Sequence, residues 1–270
     1  MVKLRAMFPR KIKVCDAFGI PVYLDFSLII LLILFATNGD SFARSISCAL
    51  MLLVSITAHE LGHALTARAF GYGTRDITLS LLGGCASLIA LPRKAWQEFL
   101  TAIAGPAVSF SLAVLAFLAL LFIPVDEWTR YLLSYAAGMN VILGAFNLLP
   151  GFPMDGGRVF RSVASVFTTR TKATYIAMIV GRGFAILLAL RGFAILFLLV
   201  LRGGLHLVVT QGGWGFISIL IAWMIWREGY REYQMARMEE SVRSWGNDWS
   251  ARVSPPPYGG DGDEVEIRED

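Results

Sequence analysis

The feature that most constrains this chain is a series of apolar segments, each long enough or nearly long enough to cross a lipid bilayer. Crossing the hydrocarbon core as a helix takes about 20 predominantly apolar residues. Only 16% of the 270 residues are charged, whereas soluble domains carry about a quarter. We therefore predict an all-α polytopic membrane protein with about six transmembrane helices. The six candidate spans are Val22–Ala36, Ser47–Phe70, Phe99–Ile123, Tyr131–Leu149, Ala173–Leu201 and Trp214–Trp226.

Lysine and arginine residues concentrate in alternate connections between these segments. Several precede the first segment, and others lie in the second-to-third and fourth-to-fifth connections. The remaining connections hold only Arg44, Arg130 and Arg202. Because cytoplasmic loops accumulate Lys and Arg, we expect a multi-pass protein of the cell (inner) membrane with both termini in the cytoplasm.

Two of the three histidines in the chain lie inside the second apolar segment, in the sequence His59-Glu60-Leu61-Gly62-His63. Residues four apart share a helix face, so both imidazoles could bind one zinc ion. Ionisable groups at membrane depth are costly and usually mark functional sites. The plainer alternative is a structural polar cluster within the helix bundle.

A catalytic zinc usually has three protein ligands and a water. The best candidate for the third ligand is Asp155, within N-L-L-P-G-F-P-M-D-G-G-R at Asn147–Arg158. The prolines and glycines end or distort the helix there, and irregular backbone is tolerated at membrane depth where it lines a protein cavity. Two plainer interpretations stay open: Asp155 as the carboxylate of a helix-terminal turn, and Asn147 as a side chain that bonds helix backbone.

The two motifs together, H-E-L-G-H and N-x-x-P-x-x-P-x-D-G-G, resemble those of the site-2 protease family of intramembrane zinc metalloproteases. The resemblance extends over roughly Gly19–Trp226 and includes Ala104-Gly105-Pro106, whereas Ser109 stands where the family often has asparagine. It implies a zinc metalloendopeptidase that hydrolyses peptide bonds in or near transmembrane segments of membrane proteins, as in regulated intramembrane proteolysis.

The resemblance also implies roles for individual residues. His59, His63 and Asp155 would bind Zn²⁺, and Glu60 would be the general base. Asn147 would hold the substrate carbonyl or its oxyanion. Expected partners are membrane-protein substrates with a transmembrane segment and the lipid bilayer, with no nucleic acid, because the basic residues flank membrane segments. The oligomeric state is left open.

A short apolar stretch, Ile77–Leu88, alternates in part and is too short and too rich in glycine for a span. It predicts a hairpin or a re-entrant element, and we expect a small membrane-associated β hairpin. A transmembrane substrate must lose internal hydrogen bonds to be cut, and lipid offers no replacement. We expect the hairpin to bind the unwound substrate by strand addition, with Gly83 and Gly84 allowing close approach. Alternatively, the hairpin only seals the bundle.

The predicted organisation has four parts. Residues 1–18 form a cytoplasmic N-terminal segment, residues 19–227 a transmembrane metalloprotease domain, residues 228–253 a cytoplasmic helix, and residues 254–270 a disordered acidic tail. The competing function is a non-catalytic metal transporter or metal-binding membrane protein with the same ligands. Glu60 favours the protease, because a protease needs it as a base. A transporter would need a file of polar sites across the bilayer, whereas the chain offers one compact site.

Overall fold

The computed structural model is mostly helical with one small β sheet, and it describes residues 11–28, 41–80, 83–90, 92, 94–203 and 213–252. The helices are α1 (Phe42–Ala69), α2 (Ala95–Phe122), α3 (Glu127–Asn147), α4 (Asp155–Ala164), α5 (Arg170–Gly203) and α6 (Gly213–Arg252). The strands are β1 (Lys11–Ala17), β2 (Ile20–Asp25), β3 (Thr74–Ser80) and β4 (Gly83–Leu88).

Three of the described helices, α1, α2 and α5, are long and apolar enough to cross a bilayer. They correspond to the second, third and fifth predicted spans. The fourth and sixth predicted spans are also helical, as α3 and the first part of α6, but their crossing of the membrane stays a prediction.

The first predicted span, Val22–Ala36, is wrong at its start. Residues up to Asp25 belong to strand β2, in which Ile20 and Val22 are buried and the residues between and after them are less so. This two-residue period and the pairing of β2 with β1 and β3 hold the segment extended. Residues 29–40, which contain the rest of that span, lie outside the described residues.

The sheet is larger than the predicted hairpin. Its strand order is β1-β2-β3-β4, with β2 and β3 parallel and the two outer pairs antiparallel. The predicted hairpin is present as β3 and β4. Strands β1 and β2 form the other half of the sheet, and they are joined by a turn at which Phe18 and Gly19 adopt φ values of 53° and 77°. Strand β4 forms one edge, and β3 lies inside the sheet.

The sheet packs on the half of α1 that carries the histidines. Its buried residues form one apolar cluster with α1, comprising Ile20, Val22, Leu28, Ile56, Ala64, Ile77 and Leu79. On its other side α1 meets α2 closely, since a Cβ atom added at Gly62 would lie 2.9 Å from the backbone oxygen of Ala104. The histidine helix is therefore held between the sheet and α2.

Candidate metal centre

Three predicted ligands converge at one point in the interior. Helix α1 presents His59 and His63 on one face, and Asp155 opens helix α4. Asp155 Oδ2 lies 3.1 Å from the Nε2 atom of each histidine, and the two Nε2 atoms are 3.2 Å apart. All three residues are buried. Residues 92 positions apart in the chain are thus brought into direct contact.

Helix α2 orients both imidazoles. The backbone oxygen of Thr101 lies 2.7 Å from His63 Nδ1. A carbonyl oxygen only accepts, so Nδ1 carries the hydrogen and Nε2 presents its lone pair to the centre. On the same helix, Ser109 Oγ lies 2.9 Å from His59 Nδ1, and Ser109 is fully buried. Contacts of this kind fix the tautomer and ring orientation of metal-binding histidines.

Gly105 lies midway between these two contacts, at the same four-residue spacing. A Cβ atom there would overlap the ring of His63 and lie 2.7 Å from His59 Nε2. Glycine is required at this position because the imidazoles occupy the space of a side chain. The four-residue spacing of Thr101, Gly105 and Ser109 was the available sequence signal for this arrangement, and our sequence analysis assigned no role to Thr101 or Ser109.

The donor set fits zinc. Two imidazoles and an anionic carboxylate are a known catalytic zinc donor set. Tetrahedral ligands at typical zinc distances would lie roughly 3.4 Å from one another, close to the 3.1 and 3.2 Å separations of these three atoms.

Glu60 lies between the metal centre and the sheet. Its Oε2 accepts a hydrogen bond from the Ala86 backbone N–H at 2.9 Å. A Cβ atom at Gly84 would overlap Glu60 Cγ and lie 2.8 Å from Oε1. Gly84 therefore makes room for the Glu60 side chain. Gly83, which pairs with Ser80 where β3 meets β4, lies beside it in sequence.

Asn147 ends helix α3. Its Nδ2 donates to the backbone oxygen of Leu143 at 3.0 Å, which is the backbone contact that the plainer interpretation proposed. A catalytic role for Asn147 stays a prediction.

A buried ion cluster that sequence reasoning missed connects four helices near the centre. Arg161 of α4 donates through Nε to Glu98 of α2 at 2.8 Å and through Nη1 to Glu232 of α6 at 2.9 Å. Arg170 of α5 donates to the same Glu98 at 2.8 Å. The Arg161 guanidinium also stacks on the ring of Phe152, 4.9 Å from its centroid. Since Arg161 and Asp155 share one short helix, the cluster fixes the position of α4.

We expect Ser109→Ala to weaken zinc binding by about 10- to 100-fold, the usual effect of removing a partner of a ligating histidine. Competition with a chromogenic chelator measures the affinity. Ser111→Ala is the matched control, because the exposed Ser111 hydroxyl only donates to the backbone oxygen of Ala107. Equal zinc affinities in the two variants would show that Ser109 does not support zinc binding.

Comparison with known proteins places these residues in a family. The family model "Peptidase family M50" matches residues 47–132 and 125–190. A Synechocystis sp. protein whose name assigns it to the zinc metalloproteases is 38% identical over 190 residues, which cover 65% of this chain and 50% of that protein. A zinc metalloprotease of Methanocaldococcus jannaschii is 33% identical over 183 residues, covering 66% and 53%. The chain thus spans about half the length of these curated relatives.

A solved structure, the site-2 protease from Methanocaldococcus jannaschii, is similar with a TM-score of 0.59 and 28% sequence identity, covering 83% of this chain and 95% of that one. The resemblance to site-2 proteases is confirmed. The matched residues span more than half of the chain and include His59, Glu60, His63 and Asp155. This chain belongs to peptidase family M50.

Proposed function

We propose that this protein is an intramembrane zinc metalloendopeptidase that hydrolyses peptide bonds in or near transmembrane segments of other membrane proteins. The observation that carries the proposal is the convergence of three side chains beside Glu60. His59 and His63 lie with Glu60 on α1, which is apolar enough to cross a bilayer, and Asp155 reaches them from α4. Membership of a peptidase family and the names of the relatives support it.

The residues around the centre suit peptide hydrolysis. A bound zinc supplies Lewis acidity, which makes a water acidic near neutral pH and polarises a carbonyl. Glu60, next to His59 on α1, would accept the proton of the attacking water and pass it to the leaving amine. We assign to Asn147 the stabilisation of the oxyanion. For that its amide must leave the backbone oxygen of Leu143.

We further propose that the substrate is presented as a strand on the edge formed by β4. The Ala86 N–H points away from β3 toward Glu60. Alternate residues of a strand share the direction of their backbone groups, so Gly84 and Leu88 present theirs on the same outer edge. A substrate paired there would lie beside the carboxylate. This narrows the predicted binding surface from the whole hairpin to β4, because β3 is already paired on both sides, with β2 and β4.

Leu88→Pro should slow cleavage severalfold and leave zinc binding unchanged. Proline removes the N–H of Leu88 that points to the outer edge. The hydrogen bonds between β4 and β3 use backbone groups that point to the opposite, inner edge of β4. The rate is measured on a single-span substrate in vesicles, together with zinc content. Val14→Pro is the control, because Val14 is exposed and falls in the irregular register of the opposite edge strand. Equal rates in both variants would contradict strand addition.

The protein is an integral membrane protein, and we infer six spans, both termini in the cytoplasm and residence in the cell (inner) membrane. The distribution of Lys and Arg supports this orientation. A C-terminal fusion to a reporter that is active only in the cytoplasm should therefore be active. Activity of a reporter that works only on the outer side would contradict the six-span topology.

The proposed function is tested in two steps. Membrane proteomics that compares cells containing wild-type protein with cells containing Glu60→Gln should reveal single-span proteins that accumulate only in the variant. One of these, reconstituted with the purified protein in vesicles, should be cleaved, with loss of cleavage on zinc chelation and recovery when zinc is restored. Zinc flux across the vesicle membrane without cleavage would instead support the transporter.

A further inference from the structure

We propose that a small cavity beside the metal centre is a specificity pocket, which takes a short side chain of the substrate close to the scissile bond and excludes larger ones. Such selection rests on the proposed function and narrows its substrate class. The cavity lies between the end of strand β4, the first turns of helix α2 and helix α4. The residues that line it are Leu88, Pro92, Glu98, Thr101, Ala102 and Arg158.

Two walls of the cavity belong to the helices that build the metal centre. Thr101, whose backbone oxygen lies 2.7 Å from His63 Nδ1, precedes Gly105 by one turn of α2. Arg158 follows Asp155 by three residues in α4, again about one turn. A helical turn rises roughly 5.4 Å. The cavity therefore lies about one helical turn from the centre, along both helices.

The third wall is the strand on which we place the substrate. Gly84 and Leu88 point to the same face of β4, because alternate side chains of a strand share a face. A Cβ atom at Gly84 would overlap the Glu60 side chain, so this face is turned toward the metal helix. Alternate side chains of an extended substrate are also roughly 6.6 Å apart. A substrate cut at the centre therefore places a side chain at the cavity, within two residues of the scissile bond.

The size of the cavity sets the class of side chain. It has room for about one group the size of a water molecule or a methyl. Its walls include Pro92 and Ala102, which are both buried. Forcing extra carbon atoms into packed walls is costly. Alanine therefore fits, whereas leucine and phenylalanine must displace protein atoms.

The polar groups of the walls favour an uncharged side chain. The carboxylate of Glu98 is bound by both Arg161 and Arg170, so it is held away from a ligand. The Thr101 hydroxyl is buried and has no hydrogen-bond partner among the described residues. A serine hydroxyl would supply one. The pocket therefore suits alanine and serine.

The test measures how cleavage depends on the size of single side chains. Synthetic single-span probes carry an alanine-rich segment within and beside the membrane, and one position at a time is changed to serine, leucine or phenylalanine. Each probe is reconstituted with the purified protein in vesicles, and mass spectrometry gives the cut site and the rate at that bond. At one position within two residues of the cut, we expect leucine and phenylalanine to slow cleavage at least about tenfold. Serine there should leave the rate unchanged.

Variants of the walls assign this selection to the cavity. Leu88→Ala and Pro92→Ala both enlarge it, and each should raise the rate of the leucine probe relative to the alanine probe severalfold. The ratio of the two rates does not change with a general loss of activity. Leu115→Ala is the matched control, because it makes the same substitution at an exposed position of α2, and it should keep the wild-type ratio.

The possible failures are distinguishable. If the wild-type protein cleaves alanine and leucine probes equally at every position, the cavity holds only solvent, and the pocket is overturned while the protease stands. An unchanged ratio in both enlarged variants would overturn the pocket as well. If the zinc-loaded protein cuts none of the probes, the proposed function itself fails, and the specificity pocket fails with it.

Discussion

Glu60→Gln should abolish cleavage while zinc remains bound. The amide has the shape of the carboxylate but cannot accept the proton of the attacking water, and loss of a general base slows a reaction by at least about 100-fold. The three proposed ligand residues are unchanged, and the glutamine oxygen can still accept from the Ala86 N–H. Cleavage of a reconstituted single-span substrate and the zinc content of the purified protein give the two measurements.

The control for this substitution is Glu228→Gln. Glu228 belongs to α6 and pairs with the exposed Arg231, so the same loss of charge occurs away from the metal centre. Wild-type rates are expected there. If Glu60→Gln cleaves at the wild-type rate, another residue is the base, and the proposed mechanism is wrong even if the protein is a protease.

Asp155→Ala should lower both zinc content and activity. It leaves two histidines for the metal, and the loss in affinity should exceed the roughly 100-fold upper range for residues that only support ligands. Metal analysis of the purified variant and cleavage of a reconstituted single-span substrate give the two measurements.

Asp16→Ala is the matched control, because Asp16 pairs with Lys13 at the surface. Such exposed pairs contribute little, so both zinc content and cleavage rate should stay at wild-type values. Full zinc occupancy in Asp155→Ala would mean that a different residue completes the donor set.

The convergence of His59, His63 and Asp155 was predictable because the signals of these residues are local or belong to a motif. His59 and His63 lie one helical turn apart, so the residue types and the spacing suffice once the apolar flanks predict a helix. Asp155 is distant in sequence but stands in a stretch whose prolines and glycines mark irregular backbone. The long apolar runs of α1, α2 and α5 likewise predict membrane-spanning helices from their own length and composition.

The errors and omissions have non-local causes. Val22 belongs to a strand because it pairs with Ile77, 55 residues away. In the sequence, an apolar strand followed directly by an apolar segment cannot be distinguished from the start of that segment. Thr101 acts through its backbone oxygen, a group that nearly every residue offers. Glu98 and Arg161 are 63 residues apart, and single charged residues near helix ends are ordinarily solvated.

The ion cluster also connects the helix that carries Asp155 to the C-terminal helix α6. Helix α6 extends over 40 residues, and its Glu232 accepts a hydrogen bond from Arg161. Arg161 lies six residues after Asp155 in α4, a helix of 10 residues. Displacement of the middle of α6 would therefore break the pairing of Glu232 with Arg161 or move α4, the helix that begins with Asp155.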